Sequence, residues 1–178
     1  SYHYLLCGSA HSGKSYELKH LAHVLGEEGY EVKLLKTKDY KNIATIKLPE
    51  EEEENGRQIA ILIDALDETA NGDYEQLAEG ITDYARNHED TVIVVSCRDK
   101  YIGDEQMKGF TRLYLHDLTD KQVNAIIVRE AKNPTPLFDQ IRENNLADEV
   151  RLPFFLRFVI ERHNKGISLP SNNAMLYK

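Results

Sequence analysis

The chain predicts an α/β protein of three layers, a parallel sheet between helices, followed by a small helical subdomain. Two continuous apolar runs, IAILI at 59–63 and TVIVVSC at 91–97, read as strands covered on both faces, the habit of parallel strands. Strand and helix patterns alternate through the first two thirds of the chain, after which only helical patterns remain.

Taken in order, YLLC at 4–7 reads as a buried strand and runs straight into Gly8 and small polar residues. From about Gly13, Leu18, Leu21, Ala22 and Leu25 fall at helical spacing, with Gly26 and Gly29 as stops. EVKLLK at 31–36 is a second strand, and residues 37–58 are polar. They contain the run Glu50 to Glu54, expected to be solvated loop. The strand 59–63 is followed by a helix marked by Leu77, Ile81, Tyr84 and Ala85, then by the strand 91–97 and a short strand at 113–115. Thr119 and Gln122 form a capping box ahead of Val123, Ile126 and Ile127. Helices punctuated by Pro134, Pro136 and Pro153 complete the chain. The expected division is 1–116 for the α/β core and 117–178 for the start of the helical subdomain. The chain opens at Ser1 on a strand and ends without a cap after Met175, as a piece of a longer protein would.

With 178 residues, 41% hydrophobic and 29% charged, the composition is that of a globular domain. A net charge of -8 argues against a general nucleic-acid surface, where phosphates call for excess Lys and Arg. No apolar stretch approaches the ~20 residues of a membrane span. Cys7 and Cys97 lie in apolar runs and read as buried free thiols, which points to a reducing, cytoplasmic setting. His20 and His23, three apart on a helix, read as a solvated face, with no Cys or acid at metal-ligand spacing.

The first strand leads directly into GSAHSGKS, residues 8–15, which fits G-x-x-x-x-G-K-[ST]. Gly8 and Gly13 accept backbone angles that a Cβ disfavours, so successive amides can curl round an anion. The filler Ser9, Ala10, His11 and Ser12 supplies further amides. The next helix adds its positive end, and Tyr16 in its first turn is counted with the nucleotide contacts. Lys14 can reach the β- and γ-phosphates, and Ser15 offers a hydroxyl to Mg²⁺. This is a phosphate cradle between a strand and a helix, so the α/β core is expected to have the P-loop NTPase fold.

A cradle of this kind needs an acidic partner on another strand, and ILIDALDE at 61–68 supplies it. Asp64 is the expected metal-side carboxylate, with Ala65 keeping the backbone slim behind it. Glu68 is the candidate to orient and deprotonate the attacking water, and Asp67 is expected to support the Mg²⁺ water shell. VIVVSCRD ends the next strand with Ser96 and Arg98; Arg98 is the candidate to sense or stabilise γ-phosphate charge, the alternative being a surface pair with Asp99 or Asp104.

Together GSAHSGKS, ILIDALDE and VVSCRD resemble the NACHT family of STAND nucleotide-binding switches. The D-small-x-D-E arrangement is the most specific part. LHDLTDKQVNAIIV resembles that family's entry into its first helical subdomain, and LPFFLRFVIE its proline-bearing helix, which would set Pro153 near the nucleotide base. The resemblance implies an ATP/ADP switch that hydrolyses slowly, exchanges ADP for ATP on meeting a trigger, opens and self-oligomerises. Innate immune sensors and anti-phage defence proteins belong to this family; no effector domain or sensor repeat is visible here.

Competing classes are weaker. A small-molecule kinase calls for an Arg-rich lid, and the segment after Arg98 carries only Arg112 nearby. A GTPase calls for D-x-x-G, where this chain has Asp64-Ala65-Leu66-Asp67, and for N-K-x-D, where Asn164-Lys165-Gly166-Ile167 lacks the acid. The L-S-G-G-Q signature of an ABC-type ATPase is missing. An AAA+ ATPase module is the nearest alternative.

Overall fold

A computed structural model describes residues 2–39, 48–50, 53–54, 56–69 and 72–169. They divide into two compact units: residues 1–10 with 14–115, and residues 11–13 with 116–178.

Five parallel strands form the sheet of the first unit: β1 (His3–Gly8), β2 (Glu31–Lys36), β4 (Arg57–Asp64), β5 (Val92–Arg98) and β6 (Thr111–Leu115). Their order across the sheet is β2-β4-β5-β1-β6. Between β2 and β4 the two-residue β3 (Glu53–Glu54) pairs antiparallel with Arg57 and Gln58. Of the glutamate run expected as loop, Glu51 and Glu52 lie outside the described residues, while the backbone of Glu53 and Glu54 belongs to this ladder. A short hairpin accounts for the difference, since Gly56 takes a φ of 74° and turns the chain back.

Helix α1 (Lys14–Glu27) carries the chain from β1 to the far edge at β2, and α2 (Tyr74–Asn87) brings it back from β4 to β5. Because such crossovers are right-handed, opposite directions of travel put the two helices on opposite faces. The apolar clusters follow that split. Leu18 packs with Leu6, Leu62 and Val94 on one face. Leu77, Ala78, Ile81 and Ala85 pack with Leu5, Cys7, Ile61, Ile63, Ile93 and Val95 on the other. Neighbours in sequence such as Ile61 and Leu62 thus serve different layers. That is why the strands are apolar at every position instead of alternating. Order reverses at β1, which sits between β5 and β6, and ligands bind at such switch points beyond the carboxyl ends of the strands.

In the second unit, α3 (Asp120–Glu130), α4 (Pro134–Glu143) and α5 (Pro153–Asn164) bury Val123, Ile127, Leu137, Ile141, Leu156 and Val159 together. The capping box at α3 is formed: the Gln122 N–H donates to Thr119 Oγ1 at 3.3 Å, and the Thr119 N–H to Gln122 Oε1 at 2.9 Å. Pro134 and Pro153 occupy the first helical position of α4 and α5, where a missing N–H costs nothing. The loop residues of this unit contact the start of α5. The His11 ring lies 5.2 Å from that of Phe154 and 5.3 Å from that of Phe155, and a Cβ on Gly13 would stand 3.6 Å from the Pro153 ring.

Candidate functional site

The carboxyl ends of β1, β4 and β5 gather most of the candidate residues. Gly8 closes β1, Asp64 closes β4 and Arg98 closes β5, so each motif begins where its strand stops. Between β1 and α1 the chain takes positive φ twice, 64° at His11 and 96° at Gly13, as a loop folding inward requires. The helix begins at Lys14, with Tyr16 exposed in its first turn. The Lys14 ammonium donates to the carbonyl oxygens of Gly8 at 2.9 Å and Ser9 at 2.6 Å. Burial pushes its pKa down, against the opposing charge of Asp67 and Asp99.

Ser15 and Asp64, forty-nine positions apart, meet directly: the Ser15 hydroxyl donates to Asp64 Oδ1 at 3.0 Å. The same oxygen accepts from the buried Ser96 hydroxyl at 2.8 Å. A hydroxyl beside a carboxylate is a hard-oxygen donor pair, and Mg²⁺ takes few protein ligands while keeping several waters, so this pair fits that ion. Among the described residues no cluster of three or more His, Cys, Asp or Glu side chains provides a fuller metal cage.

Behind Asp64 the chain turns sharply. Ala65 sits in the left-handed region, φ 59° and ψ 58°, a conformation that costs an L-residue about 1–2 kcal/mol. Three hydrogen bonds hold it there. Its N–H donates to Ser96 Oγ at 2.8 Å, and its carbonyl accepts from Thr37 Oγ1 and from the Glu68 N–H at 2.9 Å. Thr37 went unnoticed in the sequence, although it is the first residue past β2 and Lys36 is already in register with Asp64. Such strain at the head of an acidic turn is a common property of functional sites.

The two acids after this turn part company. Glu68 is exposed, and its carboxylate has no hydrogen bond or ion pair with any described residue. Asp67 has a side chain only 2% exposed and is turned toward β5. Its Oδ1 accepts the Arg98 backbone N–H at 3.0 Å, and its Oδ2 accepts from Arg98 Nε. Burial pushes the Asp67 carboxyl up, but the Arg98 amide, side chain and charge together hold it below the usual carboxylate range. The matching bond from Asp67 raises the Arg98 pKa. Arg98 therefore pairs with Asp67, and not with Asp99 or Asp104, and its guanidinium lies 5.0 Å from the Tyr101 ring centroid. Beside them, burial and the Asp67 charge push the Cys97 thiol well up, so neither buried cysteine is a poised thiolate.

The structure thus brings Gly8, Ser9, Ala10, Lys14, Ser15, Asp64, Asp67, Glu68 and Arg98 to one end of the first unit, while His11, Ser12, Gly13 and Pro153 group with the second. A parallel sheet ordered in this way, with the glycine-rich loop between its switch-point strand and the next helix, is the P-loop NTPase fold. The chain is similar to RuvB of Thermotoga maritima, with a TM-score of 0.51 and 19% identity over 90% of this chain and 53% of that one. It is also similar to a chain of Drosophila ORC bound to DNA, with a TM-score of 0.49 and 9% identity over 88% of this chain and 48% of that one. It therefore spans about half the length of each. No protein-family model matches the sequence, and no curated protein matches it. No helix among the described residues is long and apolar enough to cross a membrane.

Proposed function

We propose that this chain is the ATP/ADP-binding module of a NACHT-type switch, working with Mg²⁺ inside a larger STAND signalling or defence protein. The observation that carries the nucleotide reading is the 3.0 Å bond from Ser15 to Asp64, which joins the residue after the cradle lysine to the acid of another strand. In this reading the loop from Gly8 to Gly13 and Lys14 hold the phosphates. Ser15 and Asp64 hold Mg²⁺, which would offset the charge of the β- and γ-oxygens. Glu68, with an exposed carboxylate, orients and deprotonates the attacking water. Arg98 meets the γ-phosphate, and Pro153 lies near the base. What favours the switch over other P-loop proteins is Asp64-Ala65-Leu66-Asp67-Glu68, with its small residue in the strained position and its two acids divided between Arg98 and solvent.

Titration calorimetry with ATP, ADP and GTP tests the nucleotide reading. The expected result is binding of both adenine nucleotides, its loss in Lys14→Ala, and weaker competition by GTP. ATP affinity unchanged in Lys14→Ala would rule out the cradle as the phosphate site. Glu68→Gln is expected to keep ATP bound and slow its hydrolysis by at least tenfold, the usual weight of a positioned base.

An AAA+-type ATPase module suits the same sheet order and the same acid strand about as well. The nucleotide that copurifies with the full-length protein separates the two. Tightly held ADP, exchanged only slowly for ATP, supports the switch; fast exchange with steady turnover supports the AAA+ reading. Self-association measured in ATP and in ADP then reports whether the nucleotide controls assembly.

A further inference from the structure

Asp67 and Glu68 are adjacent acids in one short turn, and the roles expected of them, Asp67 in the Mg²⁺ water shell and Glu68 as base to the attacking water, would require both to face solvent. Only Glu68 does. The Asp67 side chain is 2% exposed, and both of its oxygens are occupied by donors of a single residue, the backbone N–H and Nε of Arg98. The bonds come from two parts of Arg98, one fixed in β5 and one near the end of a flexible side chain. Together they fix where the guanidinium begins and which of its edges faces inward. The Tyr101 ring lies over the guanidinium, and the Tyr74 ring meets Tyr101 edge-on at 5.7 Å. With Nε committed, Nη1 and Nη2 make no hydrogen bond to any described residue, and the Arg98 side chain remains 30% exposed. Arg98 is also the register partner of Gly8, the first residue of the cradle, on the adjoining strand.

We infer that Asp67 is a positioning residue whose task is to present the terminal fork of Arg98 to the outermost phosphate of a bound nucleoside triphosphate, and that it takes no part in holding the metal. The inference rests on the nucleotide reading and assigns one side chain within it. An arginine fixed at Nε loses less rotamer freedom on gripping an oxyanion than a mobile one, so its preference for a third phosphate is sharpened. The pairing also removes an uncompensated negative charge from beside the cradle, where it would repel phosphates.

The test is calorimetry on the whole chain with Mg²⁺ and either ADP or a non-hydrolysable ATP analogue, for wild type, Asp67→Asn, Arg98→Gln and the double variant. If Asp67 acts through Arg98, each single change weakens the triphosphate analogue by about tenfold or more, as loss of a charge-assisted bond does. ADP affinity then stays within about threefold, and the double variant is no worse than either single one. Losses that multiply in the double variant overturn the inference. So does an Asp67→Asn protein that needs more Mg²⁺ in the way that Asp64→Asn does. Failure of the wild type to bind either nucleotide sinks the nucleotide reading itself, a distinct outcome. Should Asp67→Asn not fold, nitrogen-15 spectra of the wild type decide. The Arg98 Nε–H is expected to resist solvent exchange before and after the analogue is added, while the Nη signals move. An Nε–H that exchanges freely overturns the inference.

Discussion

Ser96 stands under Asp64 as both donor and acceptor: its hydroxyl gives a hydrogen bond to Asp64 Oδ1 and takes one from the N–H of Ala65. One fully buried hydroxyl therefore fixes the Asp64 carboxylate and the turn behind it. Ser96→Ala leaves the Ala65 N–H without its acceptor. It is expected to lower stability by about 1–3 kcal/mol, the usual penalty for a buried group left unsatisfied. Urea unfolding of the two proteins measures it, and a change below about 0.5 kcal/mol would contradict this role for the hydroxyl.

Ala65 offers a test of backbone strain. Ala65→Gly relieves the left-handed penalty but adds freedom to the unfolded chain, so the two terms nearly cancel and stability stays within about 1 kcal/mol. Ala65→Val adds a branched Cβ at φ 59°, where such residues are rare, and is expected to cost about 2 kcal/mol or more. Equal melting temperatures for the glycine and valine variants would refute the strained turn.

The Asp67 carboxyl titrates below its ordinary value of 3.8 because Arg98 binds its ionised form. A depressed carboxylate contributes stability that is complete above the unfolded value and disappears as pH falls through the folded one. The stability difference between wild type and Asp67→Asn is therefore expected to shrink as pH drops below about 4. Denaturant titrations at several pH values check this, and a difference that holds constant into strong acid would be inconsistent with the pair.

At the start of α3, Thr119→Ala removes the acceptor of the Gln122 N–H. The expected cost is about 1 kcal/mol, read in the unfolding of the helical unit and leaving the ends of β1, β4 and β5 unaffected. A shift in nucleotide affinity without a shift in stability would run against it.

The strands were legible because burial on both faces leaves no room for polar residues: EVKLLK is β2 to the residue, and IAILI and TVIVVSC are β4 and β5 with only their ends trimmed or extended. The place of the loop between strand and helix and the positive φ of Gly13 were legible from local pattern, whereas Gly8 ends β1 as extended strand and the other positive φ of the loop falls at His11. What the sequence did not reveal depends on residues far apart in the chain. The bond of Arg98 to Asp67 spans 31 positions and that of Thr37 to Ala65 spans 28, and no local pattern marks a partner at such range. The same blindness hid the difference between Asp67 and Glu68, since two adjacent acids look alike until the fold turns one inward. The β3 hairpin was overlooked because glutamates have weak strand propensity, and only the turn at Gly56 could have suggested it.

Strand β5 lies between the cradle strand and the acid strand, paired with each. The gap from cradle to acid is thus two inter-strand spacings, about 10 Å, and it is fixed by main-chain hydrogen bonds common to every sequence. Such a sheet works as a ruler whose divisions are made of backbone. Side chains elsewhere can drift freely while the gauge stays true, provided that a hydroxyl, an acid and a small residue remain at its marks. A chain can then share barely a fifth of its residues with another and still have the same fold, as this one does with RuvB at 19% identity.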